Sequence, residues 1–182
     1  VTYYSYNGFT TTMTPPVNVS GQQNVTRKTK NSQGQLTEVI NAYGTATQSR
    51  IVYGYDWFGN LTQTTDQLGN VTPMGYDLRG RKTSMIDRDM GFWEYKYDAL
   101  GQLVWQQDPV ARAAAAPAVT ILYDLLGRMT RRTEPSLTSN WYYDVYKDGS
   151  ACSTGKGKLC EVDATNGYRR VYSYDSIGRE IQ

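Results

Sequence analysis

The residues of this 182-residue chain best suited to chemistry are Tyr-Asp pairs, which recur six times along the sequence. Carboxylates can bind hard cations such as Ca²⁺, and they also serve as general acids and bases in enzymes. The chain has no histidine, which excludes Ser-His-Asp and Cys-His nucleophiles and histidine-ligated zinc. The tyrosines and aspartates of the pairs, with the glycine that follows five of them, are Tyr55, Asp56, Gly59, Tyr76, Asp77, Gly80, Tyr97, Asp98, Gly101, Tyr123, Asp124, Gly127, Tyr143, Asp144, Tyr174, Asp175 and Gly178.

The residues around each pair favour a structural role over an ion-binding or catalytic one. Aspartate at the first position and glycine at the fourth are typical of a type I turn, because the carboxylate accepts hydrogen bonds from backbone amides and glycine adopts positive φ. Since the same residues recur from turn to turn, we interpret each aspartate as the cap of its own turn and each tyrosine as a packing residue. On this interpretation the chain has no catalytic, cofactor-binding or metal site, although carboxylates alone could serve a hydrolase.

The spacing of the turns predicts the strands that position them. Weaker turn signals at 31–34, 41–44 and 66–69 divide the repeat into half-units, which leaves strands of about 20 Å between turns. The residue two before each tyrosine is apolar or aromatic, as in Tyr53/Tyr55 and Ile121/Tyr123, and this is the alternation of a strand with one apolar face. The sequence therefore predicts an all-β fold of antiparallel β-hairpins with little or no helix.

The repeats divide the chain into an irregular N-terminal part, 1–30, and a repeat array, 31–182, with two insertions. The first insertion, near 108–118, contains Pro109, four consecutive alanines and Pro117, and we expect a loop there because proline interrupts a central strand. The second, near 147–157, is rich in Gly, Ser, Thr and Lys and enlarges the turn that begins at Asp144. Its Ser153–Lys158 stretch lacks the spacing of a phosphate-binding loop, so we interpret it as a solvated basic loop.

The two cysteines, Cys152 and Cys160, lie in and beside the second insertion. A metal site would need two further ligands, and the chain contains neither another cysteine nor a histidine. A disulfide that closes this loop is favoured if the protein is secreted, and two free thiols are the alternative.

Charge and exposed side chains exclude some partners and leave others open. The formal charge is +2, too small for a nucleic-acid footprint, and no apolar run approaches the ~20 residues of a membrane span. The aromatic residues Trp57, Phe58, Trp93 and Trp105 are expected to pack between strands, with a sugar-stacking surface as the alternative. The basic residues that follow turn glycines are expected to form a solvated rim, with a site for an anionic ligand as the alternative, and they are Arg81, Arg128, Lys158 and Arg179.

Recurrent Tyr-Asp-x-x-Gly followed by Arg, Asn or Gln at about 21-residue spacing resembles the YD (Rhs) repeat, from residue 31 to 182 and most clearly from 53 to 130. That family includes bacterial Rhs polymorphic toxins, the B and C components of Tc insecticidal toxins, and teneurins. The resemblance implies a continuous curved sheet strip, or part of a hollow β-shell, that can enclose a toxic polypeptide carrying its own catalytic domain. The family's self-cleaving aspartyl segment has no match, because the only Asp-Pro lies at Asp108 in the alanine-rich insertion.

The resemblance leads to two functional hypotheses. In the first, the chain is a non-catalytic structural segment of a secreted, extracellular or bacterial cell-surface YD-repeat protein, and it encloses, displays or delivers a polypeptide such as a toxin. In the second, it is an adhesive or filament-forming module that assembles edge to edge or binds glycans. The expected partners are further YD repeats in cis or copies of the chain in trans, with no nucleic acid and no cofactor. The ending of the sequence one strand into a repeat suggests a truncated copy.

Overall fold

The computed structural model describes residues 1–18, 21, 23–152 and 154–181, which divide into two compact units, Val1–Phe92 and Trp93–Gln182. The strands of the first unit are β1 (Tyr3–Asn7), β2 (Thr10–Thr14), β3 (Thr26–Lys30), β4 (Leu36–Asn41), β5 (Ser49–Tyr55), β6 (Leu61–Asp66), β7 (Val71–Tyr76) and β8 (Lys82–Asp87). The second unit contains β9 (Gly91–Tyr97), which begins at the boundary, β10 (Leu103–Gln107), α1 (Pro109–Ala113), β11 (Val119–Tyr123), β12 (Met129–Thr133), β13 (Thr138–Tyr143), β14 (Leu159–Ala164) and β15 (Arg169–Val171).

Strand order follows the chain within each unit. In the first unit every strand from β1 to β8 pairs antiparallel with the next one. In the second unit the strands from β9 to β15 pair in the same way. The predicted all-β fold of sequential antiparallel hairpins is therefore confirmed. The N-terminal part, expected to be irregular, contributes β1, β2 and β3, although Val19, Ser20 and Gln22 within it lie outside the described residues.

The first insertion contains a short helix where the sequence predicted only a loop. Asp108 caps it, since its Oδ1 accepts a hydrogen bond from the Ala111 amide at 2.8 Å. Pro109 occupies the first turn, where no backbone N–H is needed, and the following alanines favour helix over other conformations. The same proline that excludes a strand therefore begins a helix, which buries Ala111.

The sheets enclose little core. Two compact bodies of half this mass would together expose about 10,700 Å², whereas the chain exposes 12110 Å². Most strand residues are only half-buried. Among the described residues, the buried hydrophobic ones are Ile40, Ala111, Val119, Ile121, Cys152 and Cys160. The described part of the chain contains no helix that is long and apolar enough to cross a membrane.

Candidate functional site at the capped turns

The Tyr-Asp turn is a three-residue hairpin loop closed at both ends by backbone hydrogen bonds. At Asp124 the backbone amide donates to the carbonyl of Arg128 at 2.9 Å, and the Gly127 amide donates back to the Asp124 carbonyl at 3.0 Å. Gly127 has a φ of 80°, the left-handed conformation that completes a type I turn followed by a bulge. The pairing register shifts between Leu122 and Tyr123, directly before the turn. The bulge explains why glycine is needed at the fourth position.

The aspartate carboxylate organises this loop from within. Asp124 Oδ1 accepts hydrogen bonds from the amides of Leu126 and Arg128, both at 2.9 Å. The half-unit turn at Asn31 uses its amide oxygen in the same way. Five other aspartates accept from the amides two and four residues ahead at 2.8–3.1 Å, and they are Asp56, Asp66, Asp77, Asp98 and Asp175.

The second carboxylate oxygen binds the side chain four residues ahead. Arg81, Arg128 and Arg179 each donate from Nε to the Oδ2 of the aspartate of their own turn at 2.6–2.7 Å. Each turn thus brings its guanidinium against a carboxylate; the side chain of Arg179 remains 76% exposed, whereas those of Arg81 and Arg128 are 24% and 23% exposed. Carboxylates with both oxygens occupied have little capacity left for cation binding or proton transfer.

Hydrogen bonds lower the pKa of several of these carboxylates and so favour their ionised form. The side-chain hydrogen bond from Asn60 lowers the pKa of Asp56, and the backbone amide of Arg81 lowers that of Asp77. Burial opposes ionisation at Asp124, but the amide and guanidinium of Arg128 outweigh it and lower the pKa. Lowered values point away from a general acid.

The tyrosines of three pairs link their repeats to the preceding ones. The Oη of Tyr123 donates to the carbonyl of Leu103 at 3.0 Å, and that of Tyr174 donates to the carbonyl of Leu159 at 2.7 Å. Tyr55 Oη reaches the carbonyl of the equivalent Leu36 at 2.9 Å. Each acceptor is the second residue after the glycine of an earlier turn. Sequence reasoning assigned the tyrosines to packing and missed this hydrogen bond, for which the strand pattern gives no signal.

The residue after each turn glycine contacts the next turn. The Arg128 guanidinium lies over the ring of Tyr143 at 4.4 Å, and the Lys158 ammonium lies over the ring of Tyr174 at 5.1 Å. These contacts place consecutive Tyr-Asp turns side by side at one end of the strands. We call the turns at this end of each unit the YD rim.

The enlarged turn at Tyr143 keeps the frame of a regular turn. The Asp144 amide donates to the carbonyl of Lys158 at 3.1 Å, and its carboxylate accepts from the Gly157 amide. Tyr143 pairs with Leu159, as the tyrosine of a regular turn pairs with the second residue after the glycine. The second insertion is therefore a lobe of residues 145–156, of which Ser153 lies outside the described residues.

Two buried carboxylates fix this lobe. Glu161, with no exposed surface, accepts hydrogen bonds from the Lys147 amide at 3.0 Å and from Arg169 Nε at 2.7 Å. Asp163 accepts from Asn140 Nδ2 at 2.7 Å and from the Lys147 ammonium. The hydrogen bond from Arg169 lowers the pKa of Glu161. Sequence reasoning missed both acids; their alternation on one strand was the available signal.

The two cysteines lie beside these acids. Cys152 and Cys160 are joined as a disulfide, with a Cα–Cα distance of 5.9 Å, and both are buried. Within the described part of the chain, no group of three or more acidic, cysteine or histidine side chains is arranged to hold a metal ion.

The four aromatic residues expected to pack between strands differ in their contacts and exposure. Trp93 stacks on Tyr95 with 6.3 Å between ring centroids, and the Lys96 ammonium lies 4.1 Å from the ring of Trp105. Trp57 and Phe58 are instead 101% and 89% exposed, so the expectation that they pack between strands is wrong. They occupy the central positions of a turn, which project beyond both strands.

The comparisons with known proteins agree with this architecture. The family model described as Teneurin YD-shell matches residues 4–151. A curated relative, "Double-stranded DNA deaminase toxin A" of Burkholderia cenocepacia (strain H111), is 28% identical over 141 residues, which are 71% of this chain and 9% of the relative. A solved structure described as "Crystal Structure of TcdB2-TccC3-Cdc42" has the same fold, with a TM-score of 0.63 and 15% identity over 92% of this chain and 10% of that chain.

The chain thus spans about a tenth of the length of the relatives it matches. The resemblance to YD-repeat proteins inferred from the spacing of the Tyr-Asp pairs is confirmed by the family match, which covers most of the capped turns. The protein belongs to the Teneurin YD-shell family.

Proposed function

We propose that this chain is a non-catalytic structural segment of a YD-repeat shell, a β-sheet scaffold that encloses, displays or delivers another polypeptide such as a toxin. The observation that carries the proposal is the hydrogen bond from a repeat's tyrosine to an earlier repeat, as from Tyr123 to Leu103. This bond lets the sheet grow one hairpin at a time without a closed core. The occupied oxygens of Asp77 and Asp124 support a structural rather than catalytic use of the aspartates.

The matched relatives support the context of this proposal. The chain aligns with 9% of a protein named as a DNA deaminase toxin, so the matched segment there is a small part of a much longer polypeptide. A toxin is therefore the polypeptide class we propose for the contents of the scaffold. Secretion to the extracellular space or display on a bacterial cell surface is proposed with it, and a disulfide between Cys152 and Cys160 suits an oxidising compartment.

Limited proteolysis of the natural protein that carries this segment tests the proposal. We expect the polypeptide outside the repeats to resist protease while the repeats are folded, and to be cleaved rapidly once denaturant unfolds them. Gly59→Val with Gly80→Val should remove protection, because both glycines have a φ that valine rarely adopts. The control is Leu68→Asn at an exposed turn. Equal cleavage of the polypeptide with folded and unfolded repeats would contradict the proposal.

An adhesive or filament-forming module is the second candidate, favoured by two exposed features. Strand β1 is exposed along its whole length and, among the described residues, pairs with β2 alone. Trp57 and Phe58 present exposed rings of the kind that stack on sugars. A glycan array separates the candidates: binding that is lost in Trp57→Ala would favour adhesion, and an array without binding would favour the scaffold.

A further inference from the structure

Two asparagines of the chain stand directly before a glycine, Asn7 before Gly8 and Asn166 before Gly167. In such a pair the glycine amide nitrogen can attack the asparagine Cγ, because glycine has no side chain that hinders the approach. The new N–Cγ bond replaces the bond from Cγ to Nδ2, which leaves as ammonia with the amide proton. Water then opens the cyclic imide to aspartate or isoaspartate, so water is the only co-reactant.

Exposure and glycine conformation do not distinguish the two pairs. All four residues are exposed, and each pair lies where one strand leads into the next, β1 into β2 and β14 into β15. Gly8 has a φ of 57° and Gly167 a φ of 90°, and nothing lies within 4 Å of a Cβ built on either. Any difference in reactivity must therefore come from the hydrogen bonds that hold each pair.

The hydrogen bonds differ at the attacking nitrogen. The Gly167 amide donates to the carbonyl of Ala164 at 3.0 Å, which directs its hydrogen into the turn. The Asn166 side chain is also engaged, since its Oδ1 accepts from the amide two residues ahead at 3.0 Å. Among the described residues, neither the Gly8 amide nor the Asn7 side chain makes a hydrogen bond. Attack at Asn166 must break both bonds of its turn, whereas attack at Asn7 breaks neither.

We propose that Asn7 is a site of spontaneous deamidation in the folded protein and that the turn around Asn166 protects that residue. The product is a mixture of aspartate and isoaspartate in place of Asn7, and either form adds a negative charge at the tip of the β1–β2 hairpin. The reaction requires no enzyme and no partner, so the inference goes beyond the scaffold role and does not depend on it.

Isoaspartate changes this hairpin more than aspartate does. It places an additional methylene in the backbone at Asn7, where only Gly8 and Phe9 join the paired residues of β1 and β2. The length of such a loop fixes the register of the strands that it joins. Strand β1 is exposed along its whole length and, in the described part of the chain, pairs with β2 alone. We therefore expect the isoaspartyl form to loosen β1 and to leave the other strands paired.

Peptide mapping by mass spectrometry of the whole chain, aged in mildly alkaline buffer, tests the proposal. Aspartate and isoaspartate should accumulate at Asn7 at least about fivefold faster than at Asn166, the factor that one intramolecular hydrogen bond supplies. The control is the same chain aged in guanidinium chloride, where both turns are unfolded and the two asparagines should react at equal rates.

Asn7→Gln is the matched variant, since glutamine keeps the side-chain amide but would have to close a larger and less favourable ring. Amide hydrogen exchange in β1 should become faster as the unaltered chain ages and should stay constant in the variant. Exchange in β14 should stay constant in both. Exchange in β1 that does not change as isoaspartate accumulates would overturn the expected effect on the hairpin.

Two outcomes would overturn the assignment of the site. The first is equal accumulation at Asn7 and Asn166 in the folded chain, which would show that the hydrogen bonds of the turn do not control the reaction. The second is an unmodified Asn7 in the folded chain when the unfolded sample reacts, which would show that the hairpin protects this residue as well. Both outcomes leave the protease-protection test of the scaffold role unaffected.

Discussion

The second unit contains a regular Tyr-Asp turn and an enlarged one beside it. Both are closed by the same backbone hydrogen bond from the aspartate amide, but they differ in the number of residues between the aspartate and the glycine. The regular turn at Asp124 closes through three loop residues, the last of which is Gly127 in a left-handed conformation. The enlarged turn at Asp144 holds residues 145–156 before a glycine, Gly157, of nearly the same φ. The closing hydrogen bond and the left-handed glycine are therefore kept whatever the number of residues between them.

The two turns are stabilised by different means. Hydrogen bonds made by Asp124 account for the regular turn within five residues of sequence. The enlarged turn depends on the disulfide and on Glu161 of the following strand. Arg128 connects them, because it donates to the carboxylates of both Asp124 and Asp144. A repeat can thus accept an insertion when the insertion brings its own contacts.

Loss of the disulfide is expected to have the largest effect and to affect the enlarged turn alone. Closing a span of eight residues restricts the unfolded chain, so Cys152→Ala with Cys160→Ala should lower the free energy of unfolding by roughly 2–3 kcal/mol. Urea denaturation with and without reductant measures the change. The double variant should be insensitive to reductant, and amide exchange at the Asp124 turn should remain slow. Two alkylatable thiols in the unreduced native protein would contradict the prediction.

Alanine at the turn glycines should distinguish conformational strain from contact. Gly127 and Gly157 have φ values of 80° and 81°, so alanine at either position should lower the free energy of unfolding by about 1–2 kcal/mol. A Cβ at Gly127 would also lie 2.9 Å from Gln102 Nε2, whereas nothing lies within 4 Å of one at Gly157. We therefore expect Gly127→Ala to destabilise the protein slightly more than Gly157→Ala in chemical denaturation, since Gln102 Nε2 is the end of a flexible side chain that can move aside at small cost.

Gln102→Ala serves as the control for this comparison. Combined with Gly127→Ala, it should reduce the additional loss to the level of Gly157→Ala, because the side chain that opposes the Cβ is removed. Equal losses in the two single variants would show that the contact between neighbouring turns contributes nothing.

The two turns also show which features the sequence could predict: contacts within a turn were predictable, and contacts between residues distant in sequence were not. Turn capping and strand alternation depend on residues within a few positions of one another, so the hairpins and their order were predictable from the chain. The bond from Tyr123 to Leu103 joins different hairpins, and Glu161 accepts a hydrogen bond from Lys147 in the inserted lobe, so neither can be read from residues close in sequence. The exposure of Trp57 was missed because residue type suggested packing, whereas its position at the centre of a turn decided the outcome. The helix at 109–113 was missed because proline was considered only as an interruption of a strand.

The tyrosine hydroxyls should contribute equally after regular and enlarged turns. Tyr123 donates to the carbonyl after a regular turn, and Tyr174 donates to the carbonyl after the enlarged one. Phenylalanine at either position should lower the free energy of unfolding by about 1 kcal/mol, the net value of one hydrogen bond. Tyr53→Phe is the control, since the Tyr53 hydroxyl makes no hydrogen bond among the described residues. A loss confined to Tyr123→Phe would show that the insertion breaks the link between repeats.

The smallest effect is expected from pH near neutrality, where neither turn should respond. The pKa of Asp144 is lowered chiefly by the Gly157 amide, and that of Glu161 chiefly by Arg169; the pKa of Asp124 is lowered as well. A lowered pKa in the folded state contributes stability that is complete above the unfolded-state value and is lost as pH falls through the folded-state value. Burial raises the pKa of Tyr143 and Tyr174, so the corresponding loss occurs as pH rises above about 10.

Urea denaturation across this range measures the prediction. Stability should be constant from about pH 5 to about pH 9, because the chain has no histidine and the carboxylates remain ionised throughout. It should fall below about pH 4, and Asp124→Asn and Asp144→Asn should each reduce the slope there, since each removes one titrating carboxylate. A transition between pH 5 and 8 would require a carboxylate whose pKa is raised on folding, which is opposite to the direction that the hydrogen bonds of both turns produce.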